Sequence, residues 1–340
     1  MAVGSDKKAR AGRLGRRAAL GSAAALPLLS ILPAHARESA PAVGFVTLLG
    51  REDSAGNLYR DAMLEGLAQQ GLVPDRSMRW LDRYADRSRD RVAPLVAELI
   101  ASGVEVILTI GASAIATLAA TNGRVPVVYG YSGDPIAAGL ADNLAHPRGN
   151  ATGVTIMAVE TNAKRVEILK EIAPQIRRIA LIASPNHPGE AGELEVCRRA
   201  VASLGVELLY MPVFSAADVD KALRQAGEVG ADALMALPDG ITTPSRESMA
   251  VAAATRRVPS GSGWPFFADS GFLMTFGPDP RDCYRRVGQM AARVLQGAKP
   301  ADLPIEQPTR FELVVNQRTA RAIGLTIPGS ILARADRVIE

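Results

Sequence analysis

The chain has 340 residues, enough for two domains of ordinary size, and its 48% hydrophobic and 22% charged residues exclude a disordered protein. The formal net charge is +4, but residues 37–340 alone contain 33 Lys and Arg residues against 34 Asp and Glu residues. This nearly neutral balance argues against nucleic-acid binding, which needs a basic face on the folded domain.

The first 36 residues have the pattern of an export signal. A basic segment precedes the apolar stretch Ala18 to Leu32, and Ala34-His35-Ala36 is a small-residue cleavage motif. The apolar stretch is too short to span a bilayer comfortably, although a retained anchor is an alternative. The Arg16-Arg17 pair leaves both the general and the twin-arginine export routes open. We therefore expect a periplasmic protein whose signal peptide, residues 1–36, is removed.

The next segment alternates short apolar strands with helices of 3.6-residue periodicity. In chain order, the predicted elements are strand Val43 to Leu48, helix Leu58 to Gln70, strand Met78 to Leu81, helix Arg87 to Ser102, strand Val104 to Ile110, helix Ser113 to Thr121, strand Val125 to Tyr131 and helix Pro135 to Leu144. Strands that are apolar throughout indicate a parallel sheet covered by helices on both faces.

The alternation then starts again, without a close sequence repeat. The second set consists of helix Ala163 to Ile172, strand Ile179 to Ala183, helix Glu190 to Leu204, strand Glu207 to Pro212, helix Ala216 to Val229, strand Ala233 to Leu237, helix Ser245 to Arg256 and strand Pro265 to Ala268. We therefore predict an α/β fold of two doubly wound parallel-sheet lobes joined by a multi-strand hinge.

The expected crossings between the lobes divide the chain. We place them near Thr152 to Ala158, near Gly271 to Gly277 and near Pro308 to Val315. Lobe 1 would then comprise residues 37–153 with about 275–307, and lobe 2 residues 154–274 with about 308–340. No linker rich in Pro, Gly or Ser separates the halves, which suits lobes joined by several extended strands.

Open parallel sheets bind ligands beyond the carboxyl ends of their strands, where helix N-termini favour anionic groups. In the first lobe, Gly111 permits a tight turn after a buried strand and leads through Ala112 into the next helix. Ser113 offers a hydroxyl to a ligand, with a plain helix cap as the alternative interpretation.

A second candidate segment is Tyr131-Ser132-Gly133-Asp134-Pro135. Ser132 and the amide of Gly133 would face the cleft. Tyr131 would either stack on a ligand or pack into the wall. Asp134 would either contact the ligand or only cap a helix that begins at Pro135.

Two loops of the second lobe also follow strands and precede helices. One contains Asn186 and the other contains Asp239. Asp239 is the best candidate for holding a ligand ammonium, because a desolvated cation needs a paired anion. A turn formed by Asp239 and Gly240 is the alternative.

Aromatic residues are sparse, but Phe266 and Phe267 lie beside Trp264, and Asp269 is close to them in the chain. Phe267 and Asp269 are therefore candidates for the ligand site, with core packing of the aromatic residues as the alternative interpretation.

Catalysis has little support in the sequence. The chain lacks a G-x-S-x-G elbow, an H-E-x-x-H motif and a phosphate loop, and its three histidines do not cluster. We interpret His187 as a surface-loop residue rather than a metal ligand. We predict no catalytic residues, no metal and no cofactor. Cys197 and Cys283 are expected to be unpaired, although an exported protein could form a disulfide.

Several stretches in order resemble the ABC transporter substrate-binding proteins of the tryptophan/tyrosine-binding type. The resemblance runs from about Ala42 to Glu340 and is carried by Ser132-Gly133-Asp134-Pro135 with Gly139-Leu140, by Pro147 to Val154, by Leu295 to Pro304, by Phe311 to Asn316 and by Ala322 to Pro328.

This resemblance implies a type I periplasmic-binding fold whose lobes close around a small polar ligand, often an aromatic amino acid, and deliver it to an ABC permease. It implies that the cleft includes Thr47, Leu48, Gly111 to Ser113, Ser132 to Asp134, Asn186 and Asp239. The sequence departs from the family pattern at Leu49-Gly50-Arg51-Glu52 and at Phe267-Ala268-Asp269, which leaves the identity of the ligand open.

The expected partners are a small-molecule ligand and an inner-membrane permease, and we expect a monomer. An alternative function is a periplasmic sensing subunit that presents the bound solute to a signalling receptor. An exported enzyme is a third interpretation, which predicts turnover of the ligand by the isolated protein.

Overall fold

The computed structural model describes residues 40–147, 149–187 and 189–340, so the predicted signal peptide lies outside the described residues. The strands are β1 (Ala42–Thr47), β2 (Arg79–Tyr84), β3 (Val106–Ile110), β4 (Val127–Tyr131), β5 (Ala151–Thr155), β6 (Arg178–Ala183), β7 (Glu207–Pro212), β8 (Ala233–Ala236), β9 (Ser260–Ser262), β10 (Met274–Gly277), β11 (Glu312–Asn316) and β12 (Arg337–Ile339). The helices are α1 (Ser54–Ala68), α2 (Val92–Ala101), α3 (Ser113–Thr121), α4 (Ala158–Ile172), α5 (Glu190–Ser203), α6 (Ala216–Glu228), α7 (Arg246–Thr255), α8 (Pro265–Asp269), α9 (Pro280–Leu295), α10 (Gln317–Ile323) and α11 (Gly329–Leu332).

The first sheet has the strand order β2-β1-β3-β4-β5, and all of its strands are parallel. The strands β1, β3, β4 and β5 are buried along their whole length because both faces of the sheet are covered, whereas the edge strand β2 carries Arg79, Asp82 and Arg83. Val43 and Phe45 of β1 belong to the same core cluster as residues of α1 and α9, whereas Ala42 and Val46 pack with residues of α2. The first lobe consists of this sheet with α1, α2, α3 and α9.

The second sheet has the strand order β12-β11-β10-β9-β8-β6-β7. It is parallel except between β10 and β11, which run antiparallel. The structure therefore confirms the predicted α/β fold of two wound lobes and adds one antiparallel strand pair to the second of them.

The chain passes between the two sheets three times. It leaves the first lobe after β5, returns between β10 and α9, and leaves again before β11. The third passage is tied to β5, because the Thr155 amide donates to the Glu306 carbonyl at 2.9 Å and the Glu306 amide donates to the Gly153 carbonyl at 3.0 Å. Extended segments thus lie side by side at the junction of the lobes.

Two predicted elements are wrong. The segment from Pro135 to Leu144 forms turns rather than a helix, because Gly139 takes a left-handed φ of +71° and ends the first turn. The segment from Pro265 to Ala268 belongs to helix α8 rather than to a strand. Trp264 is extended and Pro265 occupies the first helical turn, a position that its fixed φ favours.

None of the helices within the described ranges combines the length and the apolar character that crossing a membrane requires.

Candidate functional site

A cavity of about 370 Å³ lies between the two lobes, at the carboxyl ends of strands from both sheets. This volume is within the usual range for sites that bind small organic molecules. The first lobe contributes Thr47, Leu48, Leu49, Tyr59, Arg87, Arg89, Ile110, Gly111, Ala112, Ser132 and Tyr284. The second lobe contributes Ser184, Asn186, His187, Phe214, Pro238, Asp239, Gly240, Ile241 and Trp264.

The first-lobe wall is formed where β1, β3 and β4 end. Gly111 has a φ of +53°, which allows the chain to turn directly from β3 into the N-terminus of α3. Ala112 therefore presents the first turn of this helix to the cavity, where the helix dipole favours negative charge. The Ser132 hydroxyl, just after β4, has no hydrogen-bond partner within the described ranges and is available to a ligand.

Asp239 combines a structural role with a position in the cavity wall. Its Oδ1 accepts hydrogen bonds from the amides of Ile241 and Thr242, at 2.6 and 2.7 Å, and from the Thr242 hydroxyl at 3.1 Å. Among the described residues, no hydrogen bond engages Oδ2. The side chain thus forms the predicted turn and keeps one carboxylate oxygen for the cavity.

His187 is the second titratable group on this wall, and its side chain is only 8% exposed. Its Nε2 lies 3.1 Å from Oε1 of Glu193, a fully buried residue of α5. Burial alone would lower the pKa of His187, but the negative charges of Glu193, Asp239 and Glu190 raise the pKa above its ordinary value. The interpretation of His187 as a surface-loop residue is therefore wrong.

The floor of the cavity is aromatic and is shared by the lobes. Tyr59 and Tyr284 of the first lobe pack with ring centroids 4.3 Å apart and their planes tilted by 30°, and Trp264 of the second lobe contacts Tyr59 edge-on with centroids 6.0 Å apart. A Cβ on Gly130 would lie 2.2 Å from the Tyr284 ring, so the glycine in β4 leaves space for it. Burial, Tyr284 and Asp239 all raise the pKa of Tyr59, which keeps its hydroxyl neutral.

The lobes also meet at the rim of the cavity. The Arg87 guanidinium donates to Asp53 at 2.7 Å within the first lobe and to the Gly240 carbonyl of the second lobe at 3.4 Å. On another side, a Cβ on Gly189 would lie only 2.7 Å from the Gly133 Cα. Arg89 and Phe214, which also line the cavity, are exposed. This arrangement corresponds to a closed cleft with both charges and aromatic rings around it.

Several predicted site residues do line this cavity. They are Thr47, Leu48, Gly111, Ala112, Ser132, Asn186 and Asp239.

Four predicted residues of the first lobe lie beside the cavity rather than in its wall. Ser113 is fully buried and donates its hydroxyl to the Ile110 carbonyl. Tyr131 packs against Tyr129 in a core cluster of the first lobe. Gly133 contributes to the rim contact with the second lobe, and Asp134 accepts from the Ile136 amide at 2.8 Å as a turn cap.

Phe267 and Asp269 do not contribute to the cavity, which corrects their prediction as site residues. Phe267 is fully buried and packs against Phe266 and Phe272, because α8 directs it into the core. Asp269 is exposed and forms a salt bridge with Arg337 at 2.6 Å.

The described residues contain no group of His, Cys, Asp and Glu side chains that could hold a metal ion. Cys197 and Cys283 are unpaired and buried, and burial raises the pKa of both thiols to about 12. Both cysteines are therefore poor nucleophiles near neutral pH.

Two wound lobes around one shared cavity define the periplasmic binding protein-like fold. Comparison with known proteins identifies the family: residues 51–339 match the pattern of "ABC transporter substrate binding protein". The chain belongs to this family of substrate-binding proteins.

Individual relatives are distant. A tyrosine-binding protein of Clostridioides difficile is 21% identical over 203 residues, which cover 59% of this chain and 57% of that protein. The match thus spans little more than half of the relative's length.

Two solved structures share the fold at 24% identity each. One is a conserved domain protein from Vibrio cholerae, with a TM-score of 0.80 over 88% of this chain and 99% of the other. The other is an ABC domain from Streptococcus pneumonia in complex with L-Trp, with a TM-score of 0.79 over 88% of this chain and all of the other.

Proposed function

We propose that this chain is the solute-binding component of an ABC importer and works outside the inner membrane, after export directed by residues 1–36. It holds a small polar organic ligand in the cavity between its lobes and passes it unchanged to a permease. In this proposal the two lobes of the binding unit divide close to the predicted boundaries, after β5, after β10 and before β11. Ligand contacts with both lobes favour the closed state over the open one.

The observation that carries this proposal is the placement of opposite charges on opposite walls. The Asp239 carboxylate belongs to the second lobe, and the N-terminus of α3 lies across the cavity in the first lobe. An ammonium at Asp239 and an anionic group at α3 would therefore bridge the cleft.

The aromatic floor of the cavity indicates which further groups the ligand carries. Tyr59, Tyr284 and Trp264 line the cavity together with Asp239, and aromatic rings in the same wall as a carboxylate suit both a cation and an aromatic side chain. The relative named for tyrosine binding and the structure with L-Trp are consistent with an amino acid or a similar compound, often an aromatic one.

Native mass spectrometry of freshly purified protein, followed by a thermal-shift screen of amino acids and related metabolites, tests the proposal. A ligand at a hundred times its Kd stabilises the folded state by about 2.7 kcal/mol, which shifts the Tm by roughly 4 °C. We expect one ligand class to give this shift and to be recovered unchanged. Chemical conversion of the ligand, or a screen without any stabilising compound, would contradict the proposal.

A further inference from the structure

His187 is held so that one ring nitrogen is committed to the protein interior. Its Nε2 faces Oε1 of Glu193 at 3.1 Å, and the other carboxylate oxygen of Glu193 accepts from Nδ2 of Asn162 at 3.3 Å. A carboxylate only accepts hydrogen bonds, so Nε2 carries a proton in both charge states of the ring. In the neutral ring, Nδ1 is then an acceptor without a hydrogen-bond partner among the described residues, on a side chain that lines the cavity.

A buried polar network fixes the position of Glu193. Asn162 also accepts a hydrogen bond from Arg165, which is 1% exposed and donates through Nε to the Phe276 carbonyl at 2.7 Å. Arg165 is a permanent cation close to Glu193, because its pKa, lowered by burial, is still about 10. The charge of Glu193 is thus balanced inside the lobe, and Glu193 is available to hold His187 in either state.

The other charged and titratable groups around His187 come from three directions. Glu190 lies on the same helix as Glu193, Asp239 lies on the neighbouring loop of the same wall, and Tyr59, Tyr284, Arg87 and Arg89 line the cavity from the first lobe. Asp239 is therefore the anion that both a protonated His187 and a ligand ammonium would share.

We propose that a ligand ammonium and the second proton of His187 exclude each other in this cavity. The neutral ring offers Nδ1 as an acceptor in the same cavity wall as Asp239, whose Oδ2 makes no hydrogen bond among the described residues, so the two groups together bind an ammonium. The protonated ring presents an N–H there instead and repels the cation. This inference rests on the proposed function and adds to it that amine binding releases a proton.

The direction of the pKa shift of His187 supports the proposed exchange of its second proton for a ligand ammonium. The pKa of His187 lies above its ordinary value in the empty cavity, where Glu193 and Asp239 favour the charged ring over the effect of burial. An ammonium at Asp239 removes part of that advantage and drives the proton off. The proton exchange in the empty cavity therefore occurs above the ordinary pKa of histidine.

The test is calorimetry with three probes of one shape: L-tyrosine, tyramine, which lacks the carboxylate, and 3-(4-hydroxyphenyl)propanoate, which lacks the amine. Titrations run from about pH 5.5 to 8, a range that begins below the ordinary pKa of histidine and extends above it. Buffers of different ionisation enthalpy report the protons released. The variants are His187→Gln, which keeps an acceptor but does not titrate, and His146→Gln, which changes an exposed histidine outside the cavity.

For the wild type and His146→Gln, we expect the affinity for both amines to fall on acidification, approaching tenfold per pH unit below the pKa of His187. The amine-free acid should show no such fall, and His187→Gln should bind the amines with a flat pH profile. A flat or inverted profile for the wild type, or an unchanged slope in His187→Gln, would overturn the inference while leaving the proposed function intact. Failure of all three probes to bind would instead overturn the amino-acid ligand class, and this inference with it.

Discussion

Asp239 shows how a single side chain can hold the backbone of its own turn and still line a cavity. Its Oδ1 is saturated by two amides and a hydroxyl of its own turn, which fixes the rotamer, while Oδ2 remains for the cavity. The two interpretations that the Asp-Gly pattern allows are therefore compatible. A carboxylate that the protein has already oriented loses little conformational entropy when a cation binds.

The pair of His187 and Glu193 makes the stability of the empty protein depend on pH. The pKa of His187 is raised in the folded state, so the folded protein holds this proton more tightly than the unfolded chain. The stabilisation is fully present below about pH 6.5, the unfolded value, and is lost as the pH rises through the folded pKa.

We therefore expect the difference in unfolding free energy between wild type and His187→Gln to shrink as the pH rises. Urea unfolding of ligand-free protein at a series of pH values measures it, with His146→Gln as the control. If the difference in unfolding free energy stays constant across these pH values, the contact between His187 and Glu193 provides no pH-dependent stabilisation.

Residues that follow strands were the predictable part of the site. Asn186, Asp239, Gly111 and Ser132 stand at strand ends, where parallel sheets collect ligand residues. Tyr59, Trp264 and Tyr284 are far apart in the chain, and only the packing of α1 and α9 and the position of α8 bring them together. The role of His187 was not predictable, because it depends on the contact with Glu193. Sequence periodicity predicts the helix that carries Glu193 but does not show that this side chain faces His187.

At the scale of elements, α1 and α9 pack closely enough to require glycine at their crossing. A Cβ on Gly66 would lie 1.9 Å from the Arg285 carbonyl oxygen, and a Cβ on Gly288 would lie 2.0 Å from the Met63 carbonyl oxygen. Both obstacles are backbone atoms, which cannot move without displacing a helix. This crossing also positions Tyr59 and Tyr284, because α1 carries the first and α9 the second.

Replacement of Gly66 by Ala should therefore destabilise the protein by about 1–3 kcal/mol, the usual cost of overpacking. Gly192→Ala in α5 is the matched control, because its Cβ would lie 3.7 Å from the nearest side chain and alanine favours the helix by up to about 1 kcal/mol. Thermal unfolding of both variants measures the difference. Equal stability of Gly66→Ala and the wild type would show that the helices separate at little cost.

Sequence periodicity predicted most of the helices and strands from β1 to α7, and it failed where local backbone geometry decides which element forms. Long apolar runs such as β3 and β6 were predicted because burial on both faces leaves them without polar residues. The short strand β9 was missed, since Ser260–Ser262 carries none of the apolar pattern. The helix after Pro135 failed because Gly139 ends its first turn, and the strand after Trp264 failed because Pro265 starts a helix.

At the scale of the molecule, the site exists only because two lobes share it. The aromatic floor joins Tyr59 to Trp264 across the cleft, and the rim is closed by Arg87 against Gly240. Three passages of the chain connect the sheets, so the lobes can rotate about several parallel segments without separating. A ligand that contacts both walls is therefore the natural means of favouring the closed arrangement.

The central claim is that this cavity binds an amine-bearing ligand through Asp239. Its most direct test is calorimetric titration of wild type, Asp239→Ala and Asp269→Ala with the ligand that the screen identifies. Asp269 is the matched control because its carboxylate is engaged by Arg337 on the surface. We expect the wild type and Asp269→Ala to bind one ligand per chain with equal affinity, and Asp239→Ala to bind more weakly by about 2 kcal/mol, roughly thirtyfold. Equal affinity of Asp239→Ala and the wild type would contradict the account.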